Sequence, residues 1–177
     1  MGGAGRCFRV RLYIMRHGPA EDHAASGKDF DRALTASGRD RVKDVARALA
    51  AEDEAPHLIL SSPLVRALQT AEIVAAVTKL EGSVLVRRSL EPGAHAHEVV
   101  EECLAGGAGA AKRVMLVGHE PDFSDLAARL SGRAFPVGLQ KAMVVGLATH
   151  KGEPARVPLR LRFVLDPKSL EWRDREP

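Results

Sequence analysis

Hydrophobic positions along the chain follow two alternating rhythms. Short, mainly apolar runs at about 9–15, 57–60 and 113–117 read as buried strands, because a strand covered on both faces has no wet side to show. Between them apolar residues recur at helical spacing. Val42, Val45, Ala46 and Leu49 form one stripe, and Leu64, Leu68, Ala71, Val74 and Ala75 a second. Val99, Val100, Cys103 and Leu104 form a third, and Phe123, Leu126, Ala127 and Leu130 a fourth. Local punctuation sets the ends. Thr35 predicts an N-cap for a helix over 36–51, and Pro56 breaks the chain after it. Ser62 as N-cap and Pro63 at the first helical position open a helix to about Leu80. Gly82 turns the chain into a third strand over 83–87, followed by a loop over 89–94. A helix over 96–105 then stops in the glycines of 106–109. Pro121 opens the fourth helix and Gly132 closes it.

After Gly132 the rhythm changes. Residues 142–148 read as a strand, 149–154 as a turn, and 159–165 alternate strictly up to Asp166-Pro167. Strict alternation predicts a half-exposed strand, antiparallel at a sheet edge. Four strand–helix units and this ending predict an α/β fold. It is a three-layer α/β/α sandwich with a mainly parallel central sheet and an antiparallel edge strand. No repeat or linker divides it, so 1–177 reads as one domain with a frayed tail over 1–8.

Composition narrows the picture. Apolar content of 45% and charged content of 28% fit a soluble globular protein, and aromatics at 4% leave the core to Leu, Val and Ala. No apolar run approaches the length of a membrane span, and residues 1–6 lack a signal core, so a cytoplasmic protein without membrane contact is expected. Cys7 and Cys103 lie far apart and read as reduced thiols, Cys103 as plain core. The net charge of +3 is spread along the chain without aromatic interleaving, which speaks against nucleic acid as a partner.

The candidate chemistry sits at strand ends. In an open α/β sheet the carboxyl ends of parallel strands share one edge, where ligands bind. The first strand ends in Arg16-His17-Gly18, the second in Ser61-Ser62 with Arg66 one helical turn on, and the fourth in Gly118-His119-Glu120. Taken singly, each has an ordinary explanation: Arg66 as a surface helix charge, His119 as a turn residue. Together, two arginines, two histidines and a helix N-terminus converging on one edge make an anion pocket. His95-Ala96-His97 has metal-ligand residue types, but nothing nearby in sequence completes a ligand set, so it reads as loop and helix start and no metal is expected.

Four ordered motifs carry a family resemblance. They are Leu12-Tyr13-Ile14-Met15-Arg16-His17-Gly18, Leu34-Thr35-Ala36-Ser37-Gly38, the run from Ser61-Ser62-Pro63 through Arg66 to Thr70-Ala71, and Val117-Gly118-His119-Glu120-Pro121. This set, spanning about 12–130, resembles the histidine phosphatase superfamily, and most of all its SixA-type phosphohistidine phosphatases. The resemblance implies a phosphoglycerate mutase-like fold and no cofactor. It implies His17 as a nucleophile that becomes a phosphohistidine, and Arg16, Arg66 and His119 as the holders of phosphate oxygens. The other ring nitrogen of His17 should then donate to a fixed acceptor such as a backbone carbonyl. Superfamily members often carry an acidic general acid after the third strand. Leu90-Glu91-Pro92 is one residue off that spacing, so Glu91 is one candidate and Glu120 another, although Glu120 has a helix-capping job as well. Pro19 stands where mutase-like relatives carry Thr, which favours the SixA-type reading. The expected partner is a phosphorylated protein carrying phosphohistidine. The alternatives are a phosphomonoesterase or mutase acting on a small phosphate ester, or a phosphate-binding module without turnover.

Overall fold

The computed structural model describes residues 10–105, 111–150 and 157–175. The expectations for Cys7, the 1–8 tail, the glycines of 106–109 and most of the 149–154 turn lie outside them.

Seven strands form one sheet in the order β3-β2-β4-β1-β5-β6-β7. These are β1 (Arg11–Arg16), β2 (Leu58–Ser61), β3 (Leu85–Val86), β4 (Arg113–Gly118), β5 (Val144–Ala148), β6 (Arg160–Leu165) and β7 (Trp172–Arg173). The pairs β3/β2, β2/β4 and β4/β1 are parallel. β5, β6 and β7 add antiparallel pairs on the other side of β1. The sheet is therefore parallel where the motifs lie and antiparallel along one edge region, which is wider than a single strand.

Alternation along β1 shows the three layers. Leu12 and Ile14 face a core with α3 (Ala96–Leu104) and α4 (Asp122–Ser131), through Val99, Cys103, Phe123 and Leu130. Tyr13 and Met15 face the opposite core with α1 (Ala36–Ala51) and α2 (Val65–Thr78), through Val45, Leu49, Ala71 and Val74. Three of the helix stripes read from the sequence are these buried faces; on α2 the face runs through Ala67, Thr70, Ala71 and Val74, while Leu68, expected in the stripe, is only half-buried. Cys103 is core, its thiol pushed up to about 11 by burial first and the neighbouring Glu102 second.

Three local expectations need correction. Thr35 caps α1, its Oγ1 accepting the Gly38 N–H at 2.9 Å, but Ser62 does not cap α2 in the same way. That helix starts at Val65 with Leu64 in the cap position and no side-chain cap. Ser62 Oγ accepts the Leu64 N–H at 3.3 Å just before the helix and also meets His119, 57 positions away. The third strand is only Leu85–Val86, an exposed edge. The alternating segment is β6, antiparallel as expected but not outermost. The Asp166 carboxylate accepts the N–H groups of Lys168 and Ser169, turns the chain, and returns it as β7. Trp172 then stacks edge-on against Phe163 with ring centres 4.6 Å apart.

Candidate active site

The register of the parallel strands brings the motifs together. Arg16 pairs with Gly118, and Ser61 with Val117, so β1, β2 and β4 finish level. Past the last pair, the His17 N–H donates to the Gly118 carbonyl at 3.0 Å, and the Ser62 N–H to the Val117 carbonyl at 3.0 Å. The Ala142 N–H sits 3.1 Å from both the Arg16 and His17 carbonyls. The chain around His17 is thus clamped from the end of β4 on one side and from the segment leading into β5 on the other.

His17, Arg66 and His119 are buried, with 6%, 4% and 3% of their surfaces exposed. The two imidazole centroids lie 5.2 Å apart. His17 Nδ1 is 2.7 Å from the carbonyl oxygen of Gly18. A carbonyl only accepts, so Nδ1 carries the ring proton and Nε2 keeps its lone pair. Gly18 is required here because a Cβ would stand 2.6 Å from Val42 Cγ2 of α1. The Gly18 N–H donates to Thr70 Oγ1 at 3.0 Å, and that hydroxyl donates to the Arg66 carbonyl at 2.7 Å. The nucleophile candidate and the arginine of α2 therefore share one hydrogen-bonded frame.

Arg16 donates through Nη1 to the Leu139 carbonyl at 2.7 Å. Arg66 donates through Nη1 to the Asp29 carbonyl at 2.8 Å and through Nη2 to the Asp29 carboxylate at 3.0 Å. His119 Nε2 lies 2.8 Å from Ser62 Oγ. Among the described residues, no protein group satisfies Arg16 Nε, Arg66 Nε or His119 Nδ1, although all three are buried. Buried polar groups left without partners are uncommon and costly. Three of them at one sheet edge suit a ligand rich in acceptor oxygens.

The electrostatics follow from burial among cations. Burial pushes His17 down to about 3, helped by the charges of His119, Arg66 and Arg16 and opposed by the Gly18 hydrogen bond. Burial, then Arg66, pushes His119 down to about 4 against the pull of Asp29. Both rings are neutral at neutral pH. Burial lowers Arg16 too, and the Glu120 carboxylate opposes this. A site with excess positive charge and neutral imidazoles can accept a tetrahedral oxyanion and offer it a nitrogen lone pair.

The remaining expected residues divide. Glu120 accepts the Ser124 N–H at 3.1 Å through Oε1, the helix-capping job foreseen for it, while Oε2 lies so close to Gly138 that a Cβ there would be 2.6 Å away. Glu91 follows a single 3-10 turn over Arg88–Leu90 and is half-buried. His95 and His97 stand at the start of α3 with rings 5.7 Å apart, and no group of three metal-binding side chains occurs among the described residues. Sequence reasoning passed over Asp29, Thr70 and the Leu139 carbonyl. A carbonyl leaves no trace in a sequence, and Asp29 sits in a polar loop with several other carboxylates.

Two buried imidazoles, two arginines and three unsatisfied buried polar atoms thus meet at one edge of an α/β sheet. Residues 12–90 match the model of the histidine phosphatase superfamily (branch 1). The chain is 36% identical to an uncharacterised Picosynechococcus protein over 78% of its own length and 84% of that protein's. It is 30% identical to a phosphohistidine phosphatase SixA homolog of Haemophilus influenzae, over 78% and 87% of the two chains. Among solved structures, the protein histidine phosphatase SixA complexed with tungstate superposes with a TM-score of 0.79 at 26% identity, over 92% of this chain and all of that one. The chain belongs to the histidine phosphatase superfamily, and it is a phosphatase.

Proposed function

We propose that this phosphatase works through a phosphohistidine on His17 and acts on phosphohistidine in proteins. The observation that carries the mechanism is the 2.7 Å contact from His17 Nδ1 to the Gly18 carbonyl, which leaves Nε2 as the lone-pair nitrogen among cationic donors. Nε2 attacks phosphorus, a P–N bond forms, and the substrate's own P–N bond breaks with its electron pair going to the leaving nitrogen. Water then attacks the phosphohistidine and releases phosphate, restoring Nε2. Arg16, Arg66 and His119 hold the phosphoryl oxygens. Phosphoryl transfer gains most from positioning and charge stabilisation, so these donors matter as much as the nucleophile. That a SixA structure binds tungstate, a tetrahedral oxyanion, supports this use of the pocket.

Two features support phosphohistidine as substrate. The 19–34 loop, the long segment that follows His17, is docked on α2 through Asp29–Arg66 and Leu34–Gln69. An imidazole leaving group can depart already protonated, so no dedicated acid is needed. For an alcohol leaving group an acid is needed, and Glu91 and Glu120 are the candidates; Glu120 has one oxygen on the Ser124 N–H and its charge acts on Arg16.

The test is to trap labelled phosphate on the protein. Wild type gives an acid-labile label and His17→Ala gives none. A wild type without label defeats the covalent mechanism. Turnover of a phosphohistidine peptide is then compared with that of sugar and nucleotide phosphates. A strong preference for one metabolite defeats the substrate assignment and leaves the mechanism standing.

A further inference from the structure

The Arg66 guanidinium is held by a residue outside the four motifs. Arg66 is buried on α2, and its anionic partner is Asp29, at the start of the 3-10 turn Asp29–Asp31. A guanidinium has five N–H donors. Asp29 takes two of them, one on each terminal nitrogen, with its carbonyl and its Oδ2. Three donors remain, including the Nε–H that nothing among the described residues satisfies.

Asp29 is itself held. Its other oxygen, Oδ1, accepts from Arg32 Nε at 2.8 Å and lies 2.7 Å from Arg32 Nη2, while Arg32 Nη1 donates to the Glu21 carbonyl at 3.0 Å. Each carboxylate oxygen thus serves one arginine. The loop is closed at its base by the Ala20–Leu34 bridge and the Glu21 N–H to the Ala33 carbonyl, and Leu34 N–H donates to Gln69 on the same helix as Arg66. Although partial burial opposes it, hydrogen bonds from Arg32 and Arg66 hold the Asp29 carboxyl below the usual carboxylate range, so it stays charged at working pH.

From this we infer that Asp29 is a positioning residue: anchored by Arg32, it fixes the rotation of the Arg66 guanidinium so that the remaining donors meet the phosphoryl oxygens. This rests on the reading of the site as an oxyanion pocket. It makes the 19–34 loop part of the phosphate-binding frame.

The sign of one measurement decides it. Removing a carboxylate beside an anion site tightens anion binding through simple electrostatics. Loss of positioning weakens it, by roughly ten- to a hundredfold for a misplaced donor. Inorganic phosphate is titrated calorimetrically into wild type, Asp29→Ala and Asp29→Asn, with urea midpoints measured alongside. The expected result is weaker phosphate binding in both variants, with kcat reduced in parallel, and a smaller loss of the same sign in Arg32→Ala. In an Arg66→Ala background, Asp29→Ala adds no further loss, because both changes act through one group. Unchanged or tighter phosphate binding in Asp29→Ala, or a full extra loss in the Arg66→Ala background, overturns the role of Asp29 alone. A wild type that binds no phosphate overturns the reading of the pocket and this inference with it. Should Asp29→Ala fail to fold, Asp29→Asn and Arg32→Ala decide the sign in its place.

Discussion

His119 Nε2 and Ser62 Oγ meet at 2.8 Å across the ends of two neighbouring strands. The contact ties the motif after β2 to the motif after β4 and sets the rotation of the His119 ring. Ser62→Ala leaves a 3%-exposed imidazole with no partner among the described residues on either nitrogen. The cost of such a loss is roughly 1–3 kcal/mol. Expected is a drop in turnover of about tenfold or more with the fold retained, checked by steady-state kinetics and circular dichroism. Turnover within a factor of two of wild type removes Ser62 from the machinery.

The donors themselves weigh more. By the scale of a lost oxyanion-hole donor, Arg66→Ala or His119→Ala lowers turnover by roughly a hundred- to a thousandfold. Arg16→Ala belongs in the same range, because its guanidinium is aimed by the Leu139 carbonyl at 2.7 Å. Single-turnover kinetics with excess enzyme separate this loss of chemistry from slow product release. A loss under fivefold for any of the three means that residue does not touch the transferring group.

Acid should weaken the fold through the same two histidines. Unfolded, each titrates near the ordinary 6.5; folded, His17 is pushed down to about 3 and His119 to about 4, by burial above all. Between about pH 6.5 and 4 the unfolded chain therefore binds protons that the native one refuses. Stability is full above 6.5 and falls on acidification, by roughly 1.4 kcal/mol per pH unit for each histidine. Asp29 and Asp166 have lowered carboxyls and act in the same direction, but only below the ordinary carboxylate value of 3.8. Urea midpoints from pH 7 to 4.5 check this. His17→Gln should remove a large part of the slope, and an unaltered slope shows that His17 titrates normally in the native state.

Periodicity exposed the layers of this fold because burial repeats along an element. Leu12 and Ile14 against Tyr13 and Met15 were legible as a strand covered on both faces, and the four helix stripes as buried helices. The motif ends were legible because strand topology alone brings Arg16, His17, Arg66 and His119 to one edge. Ser62 was misread since Ser-Pro is a strong local helix-start signal, and its second partner besides the Leu64 N–H, His119, is remote in sequence. β7 was hidden because its pairing depends on the Asp166 turn and on Trp172 finding Phe163, two contacts that no short-range pattern records. Asp29 looked like one of many solvated carboxylates until the fold laid its loop over Arg66.

Gly38 offers a test in which two physical rules disagree on sign. It lies in the first turn of α1, and replacing a helical glycine by alanine ordinarily stabilises by roughly 0.5–1 kcal/mol. Here a Cβ would run into the carbonyl oxygen of Pro19 and stand 3.0 Å from Thr35 Oγ1. That carbonyl accepts the Thr35 N–H at 3.1 Å, so the chain leaving His17 is pinned on the start of α1. The obstacle is backbone, which cannot swing aside as a flexible side chain can. Overpacking of this kind costs roughly 1–3 kcal/mol. Gly38→Ala is therefore expected to lower the melting temperature and, by shifting Pro19 two residues from His17, to lower kcat as well. Gly27→Ala is the control: its φ of +72° carries a strain cost of roughly 1–2 kcal/mol, but nothing lies within 4 Å of the added methyl. It should lose some stability and keep its kcat. Equal kcat in the two variants would show that the Pro19 contact does not set the position of His17.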